Sequence, residues 1–478
     1  MSNWKIDFDA LNLDVNDIET ELVSSHTNSK LIIEVIKKLS KSGVYSIKFI
    51  NEILQTNLNR INHLIKNRPE IKSAALFGRV QSGKTLNSIL AASVLYDNGY
   101  DIVIFMGGNT NVLIEQNKGR FEEFKLVFND SGSIKLEDIK QEQDLYKING
   151  IISHMIKNKQ LGYKLFLPIL KEKTNLENLY EILASVTNID KCNIAILDDE
   201  SDIAGVSEED DVDSQNTISR LISNIIDINQ SVMYIPISAT PYKNIFYNQG
   251  LNDKKKIKYI VPLSTDENYT GFKTFHTDDK YIIELENDTD EEYMLKTLLK
   301  TFDENFEEYE KLNKRLNILI NTSTDTKSHN KTQKLLEKLL QDYGDKNKSF
   351  KNKYKIVIFN SKSDDKEFNA RFNFIIGGNL LSRGVTFENL VIELITNYND
   401  KNFNYATMIQ RCRWFGYRNK TLHVTRILMT KQLKNLYKKL SIIEDKFFAS
   451  LQEGAIITED SRKKFQDFFR DEGLEWKN

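Results

Sequence analysis

Cysteine is nearly absent from this chain: Cys192 and Cys412 are the only two in 478 residues. That excludes a disulfide framework and any zinc site of paired cysteines, so both are expected as reduced thiols. Histidine is scarce too, and His26, His63, His154, His276, His329 and His423 stand apart without metal-ligand spacing, so no structural metal is expected. No uninterrupted apolar run approaches the length of a membrane span, and the first residues (MSNWKIDFDALNLDVND) lack a basic-then-apolar leader. A cytoplasmic protein without membrane contact is expected. An excess of one charge is missing as well: 66 Lys and Arg stand against 68 Asp and Glu, for a formal net charge of −2. The molecule as a whole carries no field that would gather nucleic acid, so any such contact must be local. Lys254, Lys255, Lys256 and Lys258 form one basic run, and Lys434, Lys438, Lys439, Arg462, Lys463 and Lys464 a looser one; runs of this kind are ordinarily solvated faces.

What is present is a globular composition, 40% apolar and 28% charged, over a length that suits about three domains of ordinary size. Within it, Gly78, Arg79, Val80, Gln81, Ser82, Gly83, Lys84 and Thr85 fill every position of the pattern G-x-x-x-x-G-K-[ST]. Glycine allows the backbone to turn tightly and aim its N–H groups at phosphate, the lysine reaches the β and γ phosphates, and the hydroxyl serves magnesium. The context fits. Ser73 to Phe77 reads as a short buried strand, and Leu86, Ile89, Leu90 and Val94 recur at helical spacing, so the loop sits before a helix N-terminus. Gly78, Gln81, Ser82, Gly83, Lys84 and Thr85 are therefore the candidate ATP-binding residues, with Thr85 on Mg2+.

Strand-like runs alternate with helical ones along the rest. Asp101 to Met106, Tyr163 to Leu170, Asn193 to Leu197 and Ser231 to Ile237 read as strands, and the pattern restarts with Leu316 to Asn321, Lys355 to Phe359, Phe374 to Ile376 and Leu390 to Ile395. The expected fold is α/β, with two RecA-like parallel-sheet domains. Residues 1–70 are expected as a helical N-terminal extension, 71–245 as the ATP-binding domain, 246–310 as a connecting segment, 311–430 as the second RecA-like domain and 431–478 as a helical C-terminal extension. The second half has no phosphate loop behind its first strand, where the chain reads Thr322, Ser323, Thr324, Asp325.

After the strand at 193–197 come Asp198, Asp199, Glu200, Ser201 and Asp202. A carboxylate at a strand's carboxyl end can hold magnesium, and an adjacent glutamate can orient the attacking water. Asp198 and Asp199 compete for the metal; the register Asp199-Glu200-Ser201-Asp202 favours Asp199 on Mg2+ and Glu200 as base. Ser238-Ala239-Thr240 ends a later strand, either to link hydrolysis to lobe movement or to cap the turn before Pro241. In the second half, Arg383 and Gly384 lie in Gly377–Thr386, and Gln410-Arg411-Cys412-Arg413-Trp414-Phe415-Gly416-Tyr417-Arg418 follows. Arg413 and Arg418 on one short element suit a finger that stabilises charge on the γ-phosphate.

The order of phosphate loop, D-E-x-D, S-A-T, serine-arginine-glycine and glutamine-arginine motifs resembles superfamily 2 helicase-like ATPases. More narrowly, V-Q-S-G-K-T at Val80 to Thr85, D-N-G-Y-D at Asp97 to Asp101, G-G-N-T-N, D-D-E-S-D, S-A-T-P, G-G-N-L-L-S-R-G-V-T and R-W-F-G-Y-R together resemble the Z1 domain family, over Ala74 to about Met429. Cys412 stands where the family usually has glycine, and Ser201 where it often has alanine. The resemblance implies a bacterial ATPase among restriction and phage-defence genes, often beside MORC-type ATPases and nuclease-like proteins. It implies ATP between the lobes, with Arg383, Gly384 and Gln410 added to the nucleotide site and nucleic acid, DNA foremost, as partner. Two other readings stay open: an ATP-switched regulatory subunit that binds a partner protein, and an endonuclease.

Overall fold

Short runs of branched and aromatic residues, most of them ending in or followed by a polar or glycine residue, form the strands of two largely parallel sheets. The computed structural model describes residues 49–67, 70–107, 134–136, 142–201, 217–240, 256–276, 279–287, 290–323, 325–360, 367–378, 381, 387–396, 403–451 and 455–474. They fold as two compact units. The first comprises the described residues of Met1–Gly78, Gly83–Asp266 and Leu451–Lys464; the second, those of Arg79–Ser82, Glu267–Ser450 and Phe465–Asn478. No described helix is long and apolar enough to cross a membrane.

In the first unit, α1 (Gln55–Asn67), β1 (Ala74–Phe77), α2 (Lys84–Asp97), β2 (Ile102–Gly107), β3 (Ile134–Leu136), α3 (Glu142–Lys157), β4 (Lys164–Leu170), α4 (Lys173–Ser185), β5 (Ile194–Asp199), α5 (Thr217–Asp227), β6 (Met233–Ser238) and β7 (Tyr259–Pro262) follow in order. The sheet runs β16-β7-β1-β6-β5-β2-β4-β3, where β16 is Ala455–Ile456 and pairs antiparallel with β7, and all other pairs are parallel. Parallel strands joined by crossover helices are covered on both faces, so the strands carry apolar residues on both. Leu76, Val103, Phe105, Leu197 and Ile235 pack against α1 and α2 on one face. Their neighbours Ile102, Ile104, Leu165, Ile194 and Ile196 pack against α3, α4 and α5 on the other. Helix α2 is buried from Thr85 to Tyr96, which explains why its apolar residues wrap all round instead of forming a stripe.

The second unit holds β8 (Tyr269–Thr270), α6 (Phe272–His276), β9 (Ile282–Leu285), α7 (Glu291–Glu304), α8 (Phe306–Lys311), β10 (Leu316–Asn321), α9 (Thr326–Lys346), β11 (Tyr354–Phe359), β12 (Phe372–Gly377), β13 (Leu390–Ile395), α10 (Tyr405–Gln410), β14 (Gly416–Tyr417), β15 (Arg426–Thr430) and most of α11 (Lys431–Leu451); a last helix, α12, spans Glu459–Asp471. Its parallel sheet runs β11-β12-β10-β13-β15-β9, and β14 pairs antiparallel with β8. Leu316, Ile318, Ile320, Phe374, Ile392 and Leu394 pack against α7, α8 and α9. The fold is thus α/β with two parallel sheets, as the alternating pattern requires. The segment 246–310, expected as a connection, contributes β7 to one sheet and β9 to the other.

An aromatic cluster around the C-terminal part of α6 encloses His276. Its ring lies 5.5 Å from that of Tyr437, 5.5 Å from Phe272 and 6.3 Å from Trp414, and neither ring nitrogen has a hydrogen-bond partner among the described residues. Burial pushes the imidazole down to about 3, with Asp279 opposing and Lys438 adding to the shift. The folded unit therefore holds His276 neutral. Its contribution to stability is full above the unfolded value near 6.5 and is lost as the pH falls toward 3, at most about 1.4 kcal/mol for each pH unit. We expect urea unfolding to show the parent losing stability between pH 6.5 and 4 relative to His276→Phe. Parallel pH profiles for the two proteins would show that His276 is not held neutral.

Candidate functional site

Strand order brings the candidate chemistry to one edge of the first sheet. β1, β6 and β5 are consecutive neighbours, with Phe77 in register with Ser238 and Ile237 with Asp199, so all three carboxyl ends lie side by side. That is where parallel α/β sheets bind ligands. Gly78 leaves β1 and donates its N–H to the Ser238 carbonyl at 3.2 Å. The Ser82 N–H closes a turn onto the Arg79 carbonyl at 3.1 Å, and Gln81 and Gly83 take φ of 56° and 85°, the left-handed region. At Gly83 a Cβ would meet nothing within 4 Å, so the requirement there is conformational. Helix α2 then begins at Lys84 with no side chain capping its N-terminus. Ser82 Oγ is buried without a partner among the described residues. The N-terminus of α2, which has no side-chain cap from Gly83, and the Lys84 ammonium are donors of the kind that fits a phosphate chain.

Arg79–Ser82 are held by groups of the second unit, to which they belong. Tyr269 Oη donates to the Val80 carbonyl at 2.7 Å, and Arg79 pairs with Glu444 at 3.5 Å and Asp445 at 3.3 Å while lying over the Phe448 ring. Gln81 Nε2 donates to the Arg413 carbonyl at 3.2 Å, and its Oε1 accepts from Arg418 Nη2 at 3.1 Å. Gly416 has φ of 114°, and a Cβ there would stand 3.1 Å from Gln81 Oε1.

The acidic turn separates its two aspartates. Asp198 is wholly buried: Lys171 Nζ donates to its Oδ1 at 2.9 Å and Tyr234 Oη to its Oδ2 at 2.6 Å. Both oxygens are therefore engaged in the interior. Asp199, the last residue of β5, lies within the field of Lys84; burial raises its carboxyl, and the charges of Lys84 and Lys171 oppose that shift. Its Oδ1 accepts the Glu200 N–H at 3.1 Å. Thr85 and Asp199 are the hydroxyl and carboxylate that would suit Mg2+. Glu200 itself has φ of 51°, a left-handed conformation that costs a non-glycine residue on the order of 1–3 kcal/mol. Asp202 lies outside the described residues. At the neighbouring strand tip the Thr240 N–H donates to Ser238 Oγ at 2.8 Å, a local turn cap.

In the second unit the segment from Gln410 to Arg418 is almost entirely buried, including Gln410, Arg411, Arg413 and Arg418. Arg418 spends its guanidinium on backbone, donating to the carbonyls of Phe415 at 3.2 Å, Phe387 at 3.1 Å and Arg413 at 2.7 Å. Burial and the charge of Arg413 press it down to about 10, with Glu393 opposing. Arg413 Nη1 donates to the Gln410 carbonyl at 3.4 Å. Glu393, one residue out of phase with Ile392 and Leu394, turns away from the α7–α9 face. Neither of its oxygens has a hydrogen-bond partner among the described residues. Burial pushes its carboxyl up to about 8, against the pull of Arg413, Arg418 and Arg411. Arg383 and Gly384 lie outside the described residues. Lys171, Tyr234 and Glu393 carry no motif; their sequence signal is a single polar residue in or directly after a buried strand.

Residues 274–468 match the family model of the Z1 domain. No curated protein matches the chain in sequence. Among solved structures, the DUF1998 helicase MrfA bound to DNA superposes with a TM-score of 0.52 at 15% identity, covering 98% of this chain and 66% of that one. The Lhr helicase of Mycobacterium smegmatis (TM-score 0.48, 10% identity) is matched over 82% of this chain and 48% of its own length. Dbp5 of S. cerevisiae, bound to RNA and ADP BeF3, gives a TM-score of 0.47 at 14% identity over 90% of this chain and 96% of that one. The chain thus spans about half of Lhr and two thirds of MrfA. At these identities the MrfA likeness speaks for the fold alone. The chain thus matches the Z1 domain model over residues 274–468 and shares its fold of two α/β units with MrfA.

Proposed function

We propose that this protein is a helicase-like ATPase that acts on or with nucleic acid, DNA foremost, in a bacterial anti-phage defence or restriction system. The observation that carries the reading is the meeting of Lys84, which follows β1, and Asp199, at the end of β5, across the tip of the intervening β6, with Asp198 already engaged by Lys171 and Tyr234. On this reading the loop amides from Gly78 to Thr85 bind the phosphates, and Lys84 fixes the β and γ groups by charge. Thr85 and Asp199 would hold Mg2+, which supplies positive charge at the transferring phosphate. Glu200 orients the attacking water and takes its proton, and Arg413 stabilises charge on the γ-phosphate. Arg413 is preferred to Arg418 because the Arg418 guanidinium is bound to three backbone carbonyls and to Gln81. The nucleic-acid and defence parts rest on the motif resemblance and on the fold shared with DNA-bound MrfA. MORC-type ATPases or nucleases are the partner proteins that resemblance suggests.

The deciding measurement is ATP turnover by the pure protein, alone and with single-stranded DNA, duplex DNA or RNA. Acceleration by DNA is expected; turnover indifferent to every nucleic acid but raised by a partner protein would favour the switch reading. We expect Lys84→Ala to lose turnover and most nucleotide affinity, and Glu200→Gln to bind ATP but hydrolyse it poorly. Near-parental turnover in Lys84→Ala would sink the assignment.

Arg413→Ala should stay folded, bind ATP and lose turnover by on the order of 10³-fold. Arg418→Ala should instead lower the melting temperature, because buried carbonyls lose their donor. The reverse pattern, with Arg418→Ala folded and inactive and Arg413→Ala active, would move the role to Arg418.

A further inference from the structure

We propose that Lys171 is a positioning residue for hydrolysis, one that holds the backbone of the Asp199–Glu200 turn in the conformation that presents both carboxylates. The proposal rests on the ATPase reading above. Lys171 is the first residue after β4, which stands two places from β5 in the sheet, so its side chain reaches past the end of β2 to the turn. It is 3% exposed. An ammonium has three donors, and here all three are used: on Asp198 Oδ1 at 2.9 Å, the Asp199 carbonyl at 2.5 Å and the Glu200 carbonyl at 3.0 Å. A lysine that merely stapled two strands would need only the carboxylate. Two of these bonds go instead to the main chain of the residues proposed for metal and base.

The turn needs such a hold. Glu200 sits at φ of 51°, and a strained non-glycine residue persists only where its surroundings over-determine it. Tyr234 on β6 anchors the other Asp198 oxygen at 2.6 Å, and the Glu200 N–H is bound to Asp199 Oδ1 at 3.1 Å. The lysine enters from the β4 side and the tyrosine from β6, so the turn is fixed from both sides of β5. Without Lys171 the carbonyls of Asp199 and Glu200 each lose a donor, and the Glu200 backbone can relax toward an ordinary right-handed conformation. Misplacement of a catalytic group by about 1 Å can cost about 10²-fold in rate.

The test compares Lys171→Met, the apolar triple variant Lys171→Met/Asp198→Leu/Tyr234→Phe, and Tyr234→Phe alone. Removing one partner of a buried ion pair strands a charge, whereas removing the whole set does not, so the triple variant separates positioning from stability. We expect the triple variant to be folded, to bind a fluorescent ATP analogue within about threefold of the parent, and to turn over about 10²-fold more slowly. Hydrogen exchange at the amides of Glu200 and Ser201 should accelerate in both lysine variants. Tyr234→Phe, which leaves the ion pair and the two carbonyl bonds in place, should stay folded like the triple variant and lose far less turnover than it does. Parental turnover in the triple variant, or turnover that tracks melting temperature across the three proteins, would overturn the proposal, as would unchanged exchange in the turn. If the parent itself hydrolyses no ATP, the ATPase reading falls, and the exchange data still decide whether Lys171 holds the turn.

Discussion

An ammonium group cannot be taken out of water without an anion to meet it, and that constraint organises the candidate site of the first unit. Lys171 and Asp198 are both buried, and their pairing, completed by Tyr234, leaves no lone charge beneath the sheet edge. Once Asp198 is engaged in this way, Asp199 is the aspartate left within reach of the Lys84 charge. The choice between two adjacent carboxylates is thus made by a lysine 27 residues earlier in the chain. The alternation of side chains along β5 places the two on opposite sides, and the same period, continued from Leu165, Leu167 and Ile169 of β4, puts Lys171 on the side of Asp198.

The second unit meets a related demand in another way. Arg411, Arg413 and Arg418 lie buried on one short segment, with Glu393 as the buried carboxylate in their field. Backbone carbonyls meet part of this buried positive charge, as the bonds from Arg418 show. Arginine suits the arrangement because its fork spreads charge over several donors and is weakly hydrated, so it tolerates burial better than lysine. The neutral His276 and the rings of Phe272, Trp414, Phe415 and Tyr437 form the apolar wall beside it.

Much of the fold is legible in the order of residues. Leu316–Asn321 and Leu390–Ile395 read as strands to the residue, because buried parallel strands are short apolar runs with sharp polar ends. The α/β class follows from alternation with helical spacing, and the strand, turn and helix around Gly78 to Thr85 follow from consecutive residues. Other elements leave no such trace. Tyr259–Pro262, Ile282–Leu285 and Arg426–Thr430 are short strands next to polar or charged residues, and they become strands only because an existing sheet edge pairs with them.

The division has one physical cause. Sequence by itself determined what depends on near neighbours along the chain: the turn-forming glycines, the buried strands, the order of motifs. Tertiary structure decided what depends on partners far away in sequence, since only strand order sets Lys171 and Tyr234 against Asp198, and Glu393 in the field of the arginines. A buried charge is stabilised by whichever opposite charge or dipole the fold brings to it. Its role is written in that partner and not in its own position along the chain.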